Sequence, residues 1–450
     1  MSGPKTKRSK WRRLGLWAYS LGVIGILGVA VFFARKHHEE TSWPQPTPDP
    51  ILLDILNDDG TLPVIFDSTE AFLDEDYAGP SPDILWEKVY GGVGYQAPFN
   101  LIAAEDGGAF ISGHITHGPD KYHVMYLMRV DKSGDQIWAK SYKTDQDSRI
   151  HMMRTLSNGD LLLVGETTAL DSQSGDIYMV RVNTQGDVIW EGAIENDYND
   201  WGDAIAPLPN GGAWVMGGTT EGTGFQAIRV LRMNADGGVV TEKLIDKYRR
   251  QVANAAIVLE DGSLFFAGHA TADYRLSDIY YGALSSEGDL IWDELFIWPV
   301  NDRGTSRVYG AFPIDENEIY LFGVIETGGE NEQDAFISRV TKGGEVIWRH
   351  RYGRAEREAK EIAYAGMLTP NGGVLVAGDI RFHYSDRKMY LLCLDQNGTE
   401  LWNKEFRRTE SGGRITSLAM TSDGHSMLTG YEGAEDQRNW YIAKLDKKCP

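Results

Sequence analysis

Residues 176–190 contain the pattern of apolar and polar positions that recurs through most of the chain. Tyr178, Val180 and Val182 alternate with Ile177, Met179 and Arg181, and this period of two predicts a β-strand. The polar residues 184–187 follow, and Gly186 among them tolerates positive φ, so a tight turn is predicted. A second apolar run then reaches Trp190. The stretch therefore predicts a β-hairpin whose return strand carries a tryptophan.

The same strand–turn–tryptophan unit recurs along the chain. Its tryptophans are Trp138, Trp190, Trp292, Trp348 and Trp402. A degenerate copy that begins at Met233 leads to Val240, at the position where the tryptophan is expected.

A second signal has the same period, because a turn signal such as Asn158-Gly159 is followed by another glycine seven positions after its first residue. These later glycines are Gly113, Gly165, Gly217, Gly268, Gly323, Gly378 and Gly430. The period is about fifty residues and holds four strand-like runs, which is typical of one blade of a β-propeller.

The phase of the repeats predicts how the ring closes. The last repeat ends near residue 446 without a tryptophan strand, whereas residues 84–90 (ILWEKVY) form a tryptophan strand without its first three strands. Pairing of these segments completes one blade and removes an open sheet edge. The predicted fold is all-β, a seven-bladed propeller over residues 83–448 in which an N-terminal strand closes the last blade.

The 65 acidic and 44 basic residues give a formal charge of -21, which argues against nucleic acid as a partner. Cys393 lies within an apolar run and is most simply a small core residue, while Cys449 is next to the C-terminus. Two cysteines so placed do not form a disulfide framework, so they leave the redox compartment open.

The first 82 residues have a different composition from the repeats. Residues 14–34 carry no charge and are long enough to cross a bilayer, which predicts a transmembrane helix. The basic tail 1–13 precedes them, and the positive-inside rule puts it in the cytoplasm. Residues 35–82 predict a Pro-rich acidic stalk or linker that partly docks on its own domain, and a segment that recruits a partner is the alternative. We therefore expect a single-pass protein of the inner (cytoplasmic) membrane with a periplasmic propeller; a cleaved signal peptide is the alternative.

The spacing Asp131-x-x-Gly134-x-x-x-Trp138 and its copies resemble the tryptophan-docking motif of quinoprotein-type (PQQ-like) β-propellers. The run Trp-x-x-x-Tyr-Gly-Gly at residues 86–92 resembles a repeat of many exported bacterial propellers. The resemblance implies a propeller fold in which the tryptophans wedge between neighbouring blades. Catalytic members usually have eight blades, a metal and an adjacent cysteine pair. This chain departs from that pattern, so the resemblance implies a non-catalytic scaffold without a cofactor.

Established catalytic and metal-binding motifs are absent from the sequence. His114, His117, Asp120 and His123 lie close together along the chain, and such side chains are ligands for zinc or copper. Their spacing matches no established site, so we expect a solvated polar loop and no metal.

The repeat register brings one residue from each innermost strand to one rim of the central channel. By this register the rim carries Phe99, His151, Asp203, Asn254, Tyr309, Tyr364 and Thr416. His151, Asp203, Asn254, Tyr309 and Tyr364 are the candidate ligand-binding residues. A polar mouth suits a small ligand, but a solvated strand end has the same appearance.

Loops on the same face are rich in arginine and aromatic residues, a composition favoured at protein interfaces. Many of these arginines, Arg414 among them, have acidic neighbours such as Glu410, so local ion pairs are the first interpretation and a partner-binding surface is the alternative. The candidate partner-binding residues are Trp201, Arg249, Arg250, Trp298, Arg303, Arg354 and Arg407.

The sequence therefore favours a non-enzymatic propeller outside the cytoplasm, acting as a protein–protein interaction scaffold or accessory subunit of a membrane or envelope assembly. The alternative is a propeller that binds a carbohydrate or another small ligand at the channel mouth, with or without hydrolysis. There His151 and Asp203 would act as general acid and base, and Tyr309 and Tyr364 as stacking surfaces.

Overall fold

The structure is a computed structural model of the 450-residue chain. It describes residues 64–68, 82–91, 95–117, 122–143, 145–168, 174–221, 225–272, 277–297, 305–326, 333–353, 359–383, 386–434, 437–447 and 449–450. No helix within these residues is long and apolar enough to span a membrane. The predicted basic tail 1–13 and transmembrane segment 14–34 lie outside the described residues.

The described residues form strands joined by turns and contain no helix. In chain order the strands are β1 (Val64–Ser68), β2 (Ile84–Tyr90), β3 (Gln96–Ala103), β4 (Ala109–His117), β5 (Tyr122–Val130), β6 (Gln136–Tyr142), β7 (Asp147–Thr155), β8 (Leu161–Thr168), β9 (Asp176–Val182), β10 (Val188–Ile194), β11 (Asp200–Pro207), β12 (Ala213–Thr219), β13 (Ala227–Met233), β14 (Val239–Ile245), β15 (Arg250–Val258), β16 (Leu264–Thr271), β17 (Asp278–Leu284), β18 (Leu290–Phe296), β19 (Arg307–Pro313), β20 (Glu318–Glu326), β21 (Gln333–Thr341), β22 (Val346–Tyr352), β23 (Lys360–Leu368), β24 (Val374–His383), β25 (Asp386–Leu394), β26 (Glu400–Phe406), β27 (Gly413–Met420), β28 (Ser426–Ala434) and β29 (Gln437–Leu445).

Four consecutive strands usually form one antiparallel sheet, as in β3–β6, β7–β10, β11–β14 and β15–β18. Strands β19–β26 form an eight-stranded sheet whose halves are joined by one parallel residue pair, Gln333 with Lys360. The remaining sheet has the order β1-β2-β29-β28-β27. The core lies between neighbouring sheets, where apolar side chains of one sheet pack on those of the next.

The first strands of successive four-strand groups contact each other in a closed cycle. The cycle runs from β3 through β7, β11, β15, β19, β23 and β27 and returns to β3. Sheets that stack radially around such a cycle form a β-propeller, and each four-strand group is a blade. The structure therefore confirms the predicted all-β propeller.

The hairpin predicted for residues 176–190 is formed by β9 and β10. Asn183 Oδ1 accepts hydrogen bonds from the backbone N–H groups of Gln185 (2.9 Å) and Asp187 (2.8 Å). Gly186 takes the left-handed conformation, with φ of +76°. The polar residue and the glycine of the motif are thus both needed to close this turn, because the first caps the backbone and the second supplies the unusual φ.

Strand β2 closes the ring by pairing antiparallel with β29, which confirms the predicted closure. Trp86 pairs with Lys444 and Val89 pairs with Tyr441. The strand is also tied to the next blade, because Lys88 Nζ lies 2.6 Å from Asp135 Oδ1. The two ends of the described propeller are therefore held in one sheet.

A fifth strand covers the outer edge of the closing sheet. Strand β1 pairs antiparallel with β2, from Val64 with Tyr90 to Ser68 with Glu87. The sequence analysis included residues 64–68 in the stalk, and the structure assigns them to the sheet. The rest of the predicted stalk, apart from Pro82, lies outside the described residues.

Every innermost strand has a β-bulge at the residue that the sequence analysis assigned to the channel mouth. The cross-strand register shifts across Phe99, His151, Asp203, Asn254, Tyr309, Tyr364 and Thr416. A bulge leaves its extra residue unpaired and redirects the side chain.

The repeated glycine of the second strand explains why the bulge can form. The residue just before each bulge pairs with that glycine, as Ala363 does with Gly378. A Cβ atom on Gly378 would lie 1.8 Å from the carbonyl oxygen of Ile362, and a Cβ on Gly165 would lie 1.9 Å from that of Arg149. The bulged strand therefore comes so close to its neighbour that only glycine fits.

The motif tryptophans lie between neighbouring blades, as the resemblance implied. The Trp190 indole donates a hydrogen bond from Nε1 to the carbonyl oxygen of Ala235 in the next blade (3.0 Å). A Cβ on Gly237 would lie 2.8 Å from the Trp190 ring. The glycine of each turn thus gives the tryptophan of the preceding blade a flat surface to lie on.

The degenerate repeat has a different register from the one predicted. Thr241 pairs with Arg232 and so occupies the tryptophan position, while Val240 is the unpaired residue next to it. The wedge is supplied by Trp214 on β12, because a Cβ on Gly288 of the next blade would lie 3.1 Å from its ring. Trp214 pairs with Arg232 on β13, so it lies in the same cross-strand row as Thr241.

The prediction that the cysteines do not form a disulfide is wrong. Cys393 at the end of β25 and Cys449 near the C-terminus are bonded, with an S–S distance of 2.00 Å. The bond joins a core residue of one blade to the tail that follows the next blade. The two cysteines lie 56 positions apart and meet because two consecutive blades pack against each other, which cysteine spacing alone does not reveal.

We predict that Gly378→Ala lowers the free energy of unfolding by about 3 kcal/mol, because the new methyl group displaces the bulged strand. Gly192→Ala is the matched control, since nothing lies within 4 Å of a Cβ at that position. Denaturant unfolding of the full-length chain in detergent measures both variants. Equal stability of the two variants would contradict the steric explanation.

Candidate functional site

The bulged residues converge on a central cavity of about 710 Å³. His151, Asp203, Asn254, Tyr309 and Tyr364 all contribute to its wall, together with Phe99 and Thr416. The five candidate ligand-binding residues are thus brought together, and whether they bind a ligand remains a prediction. The volume is in the range of small-molecule pockets.

One side of the cavity carries a histidine–carboxylate pair. His151 Nδ1 lies 3.0 Å from Asp203 Oδ1, and both side chains are partly exposed to the cavity. Burial by itself would lower the pKa of His151, but the hydrogen bond and charge of Asp203 outweigh it, and Glu166 acts in the same direction. The pKa of His151 is therefore raised above 6.5, although Arg149 opposes the shift.

The other side of the cavity is aromatic and cationic. The rings of Tyr309 and Tyr364 lie 4.8 Å apart. The Arg414 guanidinium lies 3.9 Å above the Tyr364 ring, which is within the range of a cation–π contact. Burial raises the pKa of the Tyr364 hydroxyl, so this side chain is a neutral phenol at physiological pH.

Behind Arg414 lies a fully buried carboxylate shared by three arginines. Asp379 Oδ2 is 2.7 Å from Arg381 Nε, 3.1 Å from Arg387 Nε and 3.6 Å from Arg414 Nε. Burial would lower the pKa of Arg414, but the charge of Asp379 and the nearby tyrosines raise it. The guanidinium facing the cavity is therefore held in its charged form.

Two of the bulged polar residues also tie neighbouring blades together. Asn254 Nδ2 donates a hydrogen bond to the carbonyl oxygen of Val308 (2.7 Å), and the Thr416 hydroxyl donates one to that of Pro98 (2.8 Å). These side chains therefore hold the ring as well as line the cavity.

Asp379 was not among the residues predicted from the sequence, and Arg414 was predicted only as a member of a loop ion pair. Asp379 directly follows the repeated glycine Gly378, and Arg414 lies two residues before the bulged Thr416. The same two repeat positions within one blade hold Arg149 and Glu166, whose charged groups lie 3.5 Å apart, whereas Asp379 and Arg414 belong to neighbouring blades. The register of the repeat therefore identifies positions for charged residues just outside the bulge ring, but it does not show which blade supplies the charge partner.

The candidate partner-binding residues are only partly described. Trp201 is partly buried, and a Cβ atom on Gly218 would lie 2.0 Å from its ring. Its side chain therefore packs within its own blade. The Arg249 guanidinium lies 3.9 Å above the ring of Phe225, which is 55% exposed. Arg250 and Arg407 are exposed. Trp298, Arg303 and Arg354 lie outside the described residues.

The candidate histidine cluster is also divided between described and undescribed residues. His114 is stacked on Tyr95 with ring centroids 5.5 Å apart, and its ring lies 4.9 Å from that of His123. Burial lowers the pKa of both histidines, so both are neutral at physiological pH. Within the described part of the chain, no group of three or more His, Cys, Asp or Glu residues has a geometry that could hold a metal ion.

Comparisons with known proteins give no family. No family model matches the chain, and no curated protein matches it. Solved structures that resemble it include Sqt1 of Chaetomium thermophilum bound to the N-terminus of a ribosomal protein, at 11% identity and a TM-score of 0.45, covering 78% of this chain and 97% of that one. The propeller domain of the Trilobed protease of Pyrococcus furiosus has 11% identity and a TM-score of 0.43, covering 78% and 93%. A gluconolactonase of Xanthomonas campestris has 15% identity and a TM-score of 0.33, covering 65% and 92%.

We predict that the His151–Asp203 pair makes stability depend on pH. Because the folded-state pKa of His151 lies above 6.5, the pair stabilises the folded protein fully below that pH, and this contribution is lost as the pH rises through the folded-state value. His151→Gln should therefore lower the thermal midpoint more at about pH 5.5 than at about pH 9.

Asp203→Asn is the companion variant, and it should reduce the same pH-dependent difference, since it removes the main group that raises the pKa of His151. Differential scanning fluorimetry of the full-length chain measures both. A His151→Gln effect of equal size at the two pH values would show that the pair carries no net charge interaction.

Proposed function

We propose that the chain is a seven-bladed propeller of the PQQ-like repeat type, anchored in the inner membrane by residues 14–34. In this proposal the basic tail 1–13 is cytoplasmic, and the propeller lies in the periplasm. It acts there as a scaffold or accessory subunit for other membrane or envelope proteins. We propose no enzymatic activity and no cofactor for this role.

The strand order supports the blade number. The eight-stranded sheet is joined at its middle by a single residue pair, so we divide it into the groups β19–β22 and β23–β26. Four further blades follow the same pattern, and the closing blade combines β27, β28 and β29 with β2. The total is then seven.

The disulfide supports a location outside the cytoplasm. Structural disulfides persist in oxidising compartments and are rare in the cytosol, where thiols are kept reduced. The Cys393–Cys449 bond therefore agrees with the orientation that the positive-inside rule predicts from the basic tail.

A ring of apolar side chains on the fourth strand of each blade is the observation that carries the scaffold role. The cross-strand register shifts once in each of these strands, just before the tryptophan position. The unpaired residues are all large and apolar and are 40% to 61% exposed: Leu85, Ile137, Ile189, Val240, Ile291, Ile347 and Leu401. Apolar side chains repeated around a circumference offer contact points to a protein partner.

We predict that the full-length protein, gently extracted from its native membrane, migrates as a complex larger than a monomer. The double variant Ile137→Lys/Ile189→Lys should migrate as the monomer, because each lysine places a charge on the apolar ring. Gln185→Lys adds a charge in an exposed turn and should leave the complex intact. Native gel electrophoresis compares the three proteins.

Two results would remove the scaffold proposal. The first is a wild-type protein that migrates as a lone monomer without co-purifying partners. The second is a complex that persists unchanged in the double variant.

We also predict that the native protein in its membrane contains no free thiol. A maleimide-linked polymer should therefore label neither cysteine after denaturation without reductant, and should label both after reduction. Cys449→Ser should lower the free energy of unfolding by about 2–4 kcal/mol, because the loop closed by the bond is lost. Two thiols labelled before reduction would contradict both the bond and the proposed compartment.

A second candidate function is the binding of a carbohydrate or another small ligand in the central cavity. The convergence of His151, Asp203, Asn254, Tyr309 and Tyr364 on one wall of a 710 Å³ cavity favours it. This function is compatible with the scaffold role, since the cavity lies at the ring centre and the apolar residues lie at its circumference.

A further inference from the structure

We propose that the cavity binds an acidic sugar whose carboxylate pairs with Arg414. This inference rests on the second candidate function and names the class of ligand. It depends on the charge of the cavity wall, on the aromatic rings beside Arg414 and on the polar atoms opposite.

Of the three arginines around Asp379, Arg414 has the longest distance to its carboxylate. Arg381 donates a 2.7 Å hydrogen bond to Asp379, whereas Arg414 Nε lies 3.6 Å from the same oxygen and has no hydrogen-bond partner among the described residues. One carboxylate cannot neutralise three guanidinium groups. Arg414 is also the one of the three that lines the cavity. Its charge is therefore available to an anion there.

The cavity is cationic although the chain is strongly acidic. Arg154 and Arg414 both line it, and Asp203, already paired with His151, is the one carboxylate among the described residues of its wall. The whole chain has a formal charge of -21. A surface of the opposite sign that is confined to one cavity selects anions from solution.

The aromatic rings favour a ring-shaped ligand over a simple inorganic anion. Tyr309 and Tyr364 present their rings beside the Arg414 guanidinium, at the same end of the cavity. A carboxylate bound to a guanidinium forms a short, charge-assisted pair, and the ring that carries it then lies against the tyrosines. Arg414, Tyr309 and Tyr364 therefore suit a ring that bears one carboxylate.

Polar atoms on the opposite side favour a sugar over an aromatic acid. His151 and Asp203 use one atom each for their mutual hydrogen bond, so His151 Nε2 and Asp203 Oδ2 remain for a ligand. Asn254 uses its Nδ2 for Val308, which leaves its Oδ1 as an acceptor. These donors and acceptors match hydroxyl groups, which an aromatic ring lacks.

The test is calorimetric titration of the full-length chain in detergent with galacturonate and with galactose, which have the same ring and differ by the carboxylate. Galacturonate should bind about tenfold more tightly. Its affinity should fall when salt rises from about 0.05 M to about 0.5 M, while that of galactose should not change. Binding of a galacturonate trimer as well would identify the end of an acidic polysaccharide as a source.

Arg414→Gln should bind galacturonate and galactose with equal affinity, because the charged group that distinguishes the two sugars is removed. Arg349→Gln is the matched control, because its guanidinium also lies on an aromatic ring, 3.7 Å above Phe296, but on the outer strand β22 away from the cavity. If Arg414→Gln fails to fold, Tyr309→Leu tests the aromatic contact and should weaken binding of both sugars.

The outcomes separate this inference from the function on which it rests. Equal affinity for the two sugars, or a preference that persists in Arg414→Gln, would overturn the acidic-sugar assignment but leave a sugar-binding cavity. Binding of neither sugar would overturn the assignment and remove the support that this test gives to the cavity function. Salt-independent binding of galacturonate would show that the carboxylate does not pair with a charged group.

Discussion

A close approach between one glycine and one backbone carbonyl recurs through the propeller, and the positions of the cavity residues depend on it. At each site the bulged innermost strand brings its carbonyl oxygen to within 1.8 to 2.1 Å of where a Cβ atom would be on the glycine of the second strand. Without the glycine the bulge would not fit, and the strand would return to regular pairing. The residue now directed at the cavity would then pair within the sheet.

This constraint explains why the mouth was predictable from sequence. The glycine recurs seven positions after the first residue of each turn signal, and the bulged residue keeps a fixed register to it, so His151, Asp203 and Tyr364 were identified without coordinates. The propeller fold and its closing strand followed from the same periodicity. The periodicity does not predict which side chains of different repeats contact each other. Those contacts depend on the directions of the side chains and on the residues that differ from blade to blade.

Arg414 and Asp379 illustrate that gap. They belong to neighbouring blades, and their meeting depends on the close contact between β24 and β27. Sequence neighbours of Arg414 suggested a local ion pair, but its charge partner lies 35 positions earlier in the chain, behind the cavity wall. The packing of Trp214 between two blades is a similar case. The repeat places this tryptophan on the fourth strand of a blade, whereas Trp214 lies on the second strand.

The disulfide lies where no turn connects the third and fourth strands of a blade. Elsewhere a tryptophan of the fourth strand, or Trp214 of the second, lies on the turn glycine of the next blade. The blade after Trp402 is built from two distant segments, β29 and β2, which no turn connects. Trp402 instead lines a small cavity together with the C-terminal residues Lys447 and Cys449. Cys393 pairs across the strands with Trp402, so its bond to Cys449 fixes the tail where the turn would have been. A covalent link thus replaces a turn at the joint where the ring is closed by its own two ends.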